Sequence, residues 1–168
     1  MLPRDCRPAR PERRSRSPPM PAPKPHRDAA PCRHGPPLSR PIAGDTIGFA
    51  LRWDDQQHGA LWISGDTVLY NGVRAVADRL DVDTALLHFG GVRLPISGPV
   101  RYTMTARDAV DLCRLIGPRT AMPPIHYEGW THFRQGREAI EREFEQSPEE
   151  IRRSIRWLPI GREVEITA

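Results

Sequence analysis

From Asp45 onward the chain alternates: Ile47, Phe49, Leu51 and Trp53 fall on one side of an extended strand, with Thr46, Gly48, Ala50 and Arg52 on the other. Asp54-Asp55-Gln56-Gln57-His58-Gly59 breaks that alternation with turn-forming residues, and the apolar run from Ala60 to Ser64 follows. Two strands paired as a hairpin are the expected result. The period then changes to that of a helix at Val73, Val76, Ala77 and Leu80, and returns to a strand from Thr84 to Phe89, closed by Gly90-Gly91. Thr105 with Asp108 three residues later reads as a capping box. It opens a helix whose stripe is Ala106, Ala109, Val110, Cys113 and Ile116, and Gly117-Pro118 stops it. A strand from Thr120 to Ile125 leads into His126. A further helix is expected over 134–146, with Glu138 and Arg142 paired four apart, and another is opened by Ser147 as cap with Pro148 in its first position. Strands alternating with helices predict an α/β protein.

Composition divides the chain. Twelve of the 19 prolines lie in the first 41 residues, which carry ten Lys/Arg against three Asp/Glu, so the net charge of +4 describes this stretch while the remainder is mildly acidic. Residues 1–28 show no apolar period and are expected to be a disordered basic Pro/Arg-rich tail, with one folded domain over 29–168. An acidic body offers no counter-ion-releasing surface, so nucleic acid is not the expected partner. The sequence holds neither an apolar run long enough to span a bilayer nor the apolar segment of a signal peptide. The three cysteines, Cys6, Cys32 and Cys113, form no paired motif, and reduced thiols in a cytoplasmic protein are expected.

Three side chains stand at a strand end or in a Gly/Pro-rich turn, where a rigid scaffold presents them to a pocket: His34, Asp66 and His126. Singly, each has an ordinary reading as an exposed loop histidine, a turn cap and a hydrogen-bonded core histidine. Together they are a donor set that a divalent metal accepts, since neutral imidazoles and a carboxylate bind such ions jointly. His88 closes its strand near the same place and reads as a core or supporting histidine, or one that contacts substrate. His58 belongs to the hairpin turn and His132 to an exposed segment. No Gly-x-Gly-x-x-Gly, Gly-Lys-Ser/Thr or serine-nucleophile elbow is present.

Ser-Gly-Asp-Thr at 64–67 and Pro-Ile-His-Tyr-Glu-Gly-Trp at 124–130 resemble the last two metal motifs of the metallo-β-lactamase fold hydrolases, and His-Gly-Pro-Pro at 34–37 resembles the third. The resemblance implies that His34, Asp66 and His126 are metal ligands, with Asp66 the bridging and catalytic carboxylate. It places Tyr127, Glu128 and Trp130 beside the site as pocket wall or support, and zinc or manganese as the metal, up to two ions in the intact fold. The family's first motif, His-x-His-x-Asp-His, is absent, because the only histidine before His34 is His26 in Lys-Pro-His-Arg-Asp-Ala. The expected architecture is therefore the C-terminal half of an αββα sandwich, preceded by the Arg/Pro-rich tail, which could also be an out-of-frame or start-site artefact.

The resemblance implies a metal-dependent hydrolase, in which water activated on the metal attacks an ester, lactone or phosphoester of a small-molecule substrate. The alternative is a catalytically inactive fragment, or a remnant that binds a partner chain or a second copy of itself through an uncovered sheet face bearing Phe49, Leu51 and Leu61.

Overall fold

The computed structural model describes residues 46–52, 59–117 and 121–166. The expected tail over 1–28, the start of the domain at 29, His34, Trp53 and His58 lie outside the described residues.

Strands β1 (Phe49–Leu51) and β2 (Ala60–Ile63) pair antiparallel as the expected hairpin, with Phe49 opposite Ile63 and Leu51 opposite Leu61. Helix α1 (Asn71–Arg79) then carries the chain back so that β3 (Val82–His88) lies parallel to β2, and α2 (Ala106–Ile116) does the same for β4 (Pro124–Ile125) beside β3. The sheet order is β1-β2-β3-β4. Helices α3 (Arg137–Glu145) and α4 (Glu149–Ser154) complete the described chain.

One face of the sheet is covered. Trp62, Ala85, Leu87 and Phe89 pack against Val73 and Val76 of α1, Ala109, Leu112 and Cys113 of α2, Ile140 and Phe144 of α3 and Ile151 of α4. Each large side chain removed from water there contributes roughly 1.5–3 kcal/mol, which holds the helices on that side. The opposite face carries Phe49, Leu51, Leu61, Ile63 and Leu86, with Phe49 49% and Ile47 52% exposed. The residues expected on an uncovered face are thus the ones the structure leaves partly or largely exposed.

The capping box at α2 is formed: the Asp108 amide donates to Thr105 Oγ1 at 3.2 Å, and the Thr105 amide donates to Asp108 Oδ2 at 2.9 Å. Arg101 holds the same carboxylate at 2.9 Å. Thr105→Ala is expected to cost about 1 kcal/mol in urea unfolding, since it strands an amide donor at the helix start.

Three expectations need correction. The strand over 120–125 reduces to β4 with isolated bridges from Ala121 and Met122, because Pro123 and Pro124 have no N–H to give a ladder. The helix expected from 134 starts at Arg137, because the amides of Arg134 and Gln135 both donate to Gly90 O, at 2.8 and 3.1 Å. The i,i+4 ion pair it carries is Arg137–Glu141 at 2.7 Å rather than Glu138–Arg142. Ser147 does not cap α4: its hydroxyl donates back to Phe144 O at 2.6 Å and closes α3, while Pro148 occupies the cap position.

Candidate metal centre at the strand ends

The three parallel strands end side by side, and ligands of open α/β sheets bind beyond the carboxyl ends of such strands. β2 runs into Ser64-Gly65-Asp66. Gly65 has φ +66, and a Cβ there would meet Ile47 O at 2.5 Å, so only glycine turns the chain this closely past β1. The turn leaves the Asp66 side chain 58% exposed at the sheet end, while its carbonyl accepts from Thr46 Oγ1 at 3.1 Å.

β3 ends in His88. Its amide donates to Ser64 Oγ at 3.1 Å, and its Nδ1 lies 3.4 Å from the same oxygen, which ties the ends of β2 and β3 together. Burial pushes the His88 imidazole below its ordinary value of 6.5. The Asp66 carboxylate opposes that shift and His126 adds to it.

β4 delivers His126 in the left-handed region, φ +59, a conformation uncommon outside glycine and enriched at functional sites. Its ring sits between His88, with centroids 5.4 Å apart, and the edge of Phe133 at 5.0 Å. His126 Nδ1 is buried without a hydrogen-bond partner and lies 3.7 Å from Asp66 Oδ1. A buried imidazole nitrogen left without a partner is costly unless something fills the position. Two donors about 2.0–2.2 Å from one tetrahedral cation stand roughly 3.3 Å apart, so the Asp66–His126 spacing fits a shared divalent ion with little adjustment. Among the described residues no group of three His, Cys, Asp or Glu side chains forms a complete metal cluster. The described part of the site supplies two donors.

The flanking residues separate. Tyr127 is buried in the core and meets the Trp157 ring edge-on at 5.6 Å, with the Arg137 guanidinium 4.7 Å over the other partner, so it anchors the loop rather than lining it. Burial pushes its phenol up. Glu128 is exposed. Trp130 is 69% exposed and stacks on His132 at 5.7 Å, and His132 in turn contacts Phe133. Two residues that sequence reasoning did not single out are part of the arrangement: Ser64, which holds His88, and Phe133, which backs His126. The parallel register, with Ile63 opposite Leu86, is the signal that would have brought Ser64 to His88.

His88 gives the metal-free protein a pH dependence. The folded pKa lies below the unfolded one, so between the two the unfolded chain binds more protons, and stability is lost as pH falls through about 6.5. The melting temperature of the metal-free protein should fall from pH 7.5 to 5.5, and His88→Gln should flatten part of that fall. Equal slopes in the two proteins would contradict the assignment.

No protein-family profile matches the chain. A UPF0173 metal-dependent hydrolase of Methanoregula boonei is 32% identical over 94 residues, covering 56% of this chain and 36% of that protein. One of Methanosphaerula palustris is 27% identical over 125 residues, covering 74% and 50%. The chain thus spans half or less of the length of these curated relatives. Among solved structures, the isothiocyanate hydrolase from Delia radicum gut bacteria superposes with a TM-score of 0.66 at 19% identity, over 81% of this chain and 53% of that one. A possible metal-dependent hydrolase from Veillonella parvula gives 0.63 at 19% identity, over 76% and 46%. At such identity these two establish the fold.

Proposed function

We propose that this chain, which has the fold and sequence kinship of the metallo-β-lactamase-type metal-dependent hydrolases, is the C-terminal portion of such a hydrolase and contributes Asp66, His126 and His34 to a divalent cation. The observation that carries this reading is the buried, unpartnered His126 Nδ1 held 3.7 Å from the Asp66 carboxylate. When bound, the cation polarises an ester, lactone or phosphoester oxygen and lowers the pKa of water to about 7. The chain's own residues position it: Gly65 aims Asp66, the left-handed turn aims His126, and Phe133 shields one side of the imidazole. Zinc or manganese is the metal we assign, because both accept imidazole together with carboxylate. The setting we assign is cytoplasmic, consistent with the buried free thiol of Cys113. No helix among the described residues is long and apolar enough to cross a membrane.

Metal binding should be weaker than in a full ligand set, since each donor missing from the first motif removes free energy from the site. Calorimetric titration of the full chain with zinc and with manganese should give one saturable site, and hydrolysis of p-nitrophenyl acetate or a simple lactone should stop with chelator and return with metal. Saturable binding without any metal-dependent hydrolysis would instead favour a second reading, a non-catalytic remnant that associates through its sheet face. The exposed Ile47 and Phe49 support that alternative, and sedimentation of the purified chain would show the association.

A further inference from the structure

His88 ends the middle strand of the three that reach the site, yet the motif resemblance gives it no role. Its surroundings define which of its nitrogens is free. Ser64 is buried, and its hydroxyl has one proton to give and two lone pairs to accept with. The His88 amide takes one lone pair at 3.1 Å. The hydroxyl proton has two acceptors within reach, Gly65 O at 3.0 Å and His88 Nδ1 at 3.4 Å, and the carbonyl is the nearer. With the proton on Gly65 O, the second lone pair of Ser64 faces Nδ1 and can only accept. Nδ1 then carries the imidazole proton, and Nε2 keeps its lone pair with no hydrogen-bond partner among the described residues. The ring stands 5.4 Å from that of His126, next to the proposed cation.

We propose that Ser64 and His88 act as a specificity pair: Ser64 fixes His88 in its Nδ1–H form, and His88 Nε2 accepts a hydrogen bond from a hydroxyl or N–H on the substrate. The substrate class is a hydrolysable ester or lactone with such a donor next to the scissile bond, because an acceptor that the bound substrate covers penalises an analogue that leaves it unpaired. The choice of ester or lactone rests on the hydrolase reading above, and the tautomer does not.

Long-range proton–nitrogen NMR of the full chain with labelled histidine tests the first half. His88 should show the Nδ1–H form, and Ser64→Ala should shift it toward Nε2–H. An Nε2–H signature in the unaltered protein overturns the proposal. The second half is read as binding in the zinc-loaded full chain, comparing γ-butyrolactone with its α-hydroxy derivative. The hydroxylated compound should bind about tenfold tighter, a preference expected to disappear in His88→Leu and persist in His88→Gln, whose amide oxygen can accept. A preference absent from the unaltered protein, or unchanged in His88→Leu, overturns the proposal, as does zinc ligation by Nε2 in the same spectra. Failure to take up zinc at all counts against the hydrolase reading and leaves the tautomer result standing.

Discussion

Asp66→Ala is expected to weaken zinc binding by about 100-fold or more while changing folding stability by no more than about 0.5 kcal/mol. The separation of the two effects follows from where the residue sits. Its carboxylate is 58% exposed and faces His126 Nδ1 across 3.7 Å, so it supplies one of the two donors that the described chain places together. What it gives the fold comes from its backbone, whose carbonyl accepts from Thr46, and that bond survives the substitution. Loss of the carboxylate also removes the one negative charge that opposes the downward shift of His88, so His88 should titrate lower still in the variant. Calorimetry with zinc and urea unfolding of the metal-free protein read the two quantities independently. Unchanged zinc uptake would remove Asp66 from the site.

Gly90→Ala is expected to destabilise the protein by about 2–4 kcal/mol and to weaken zinc binding as well. Gly90 has φ +92, outside the range a side chain tolerates cheaply. An added Cβ would also meet Phe133 Cδ1 at 2.7 Å and His126 O at 2.9 Å. Its carbonyl accepts from the amides of Arg134 and Gln135, so the residue joins the end of β3 to the segment that backs His126. Displacing Phe133 therefore disturbs the imidazole it packs on. Gly91→Ala is the matched control: its Cβ would meet Thr105 Cγ2 at 3.4 Å, an ordinary contact, and only its φ of +54 carries a penalty. Urea unfolding should rank Gly90→Ala well below Gly91→Ala, and equal losses would contradict the steric account.

The elements that could be read from the sequence are those whose signal is local. The pairing of the hairpin strands, the capping box at Thr105 and the stripe from Ala106 to Cys113 all follow from period and end chemistry within a dozen or so residues. Asp66 and His126 were singled out through the motifs around them, and the structure brings them within 3.7 Å of each other at the ends of β2 and β4, on either side of β3. What stayed hidden depends on contacts distant in sequence. The start of α3 is set by Gly90, which takes the two amides that would have begun the helix earlier. The hold of Ser64 on His88 spans 24 residues and appears only once the parallel register is known. Tyr127, expected as pocket wall or support, turns to the core, and that direction too is set by a residue distant in sequence, Trp157, which its ring meets edge-on.

Anomalous diffraction at the zinc edge from crystals of the full chain grown with zinc tests the central claim most directly. A peak within about 2.0–2.2 Å of both Asp66 Oδ1 and His126 Nδ1 is the predicted result. A zinc peak elsewhere on the chain, or none at this pair with the site fully occupied by ordered water, would contradict it.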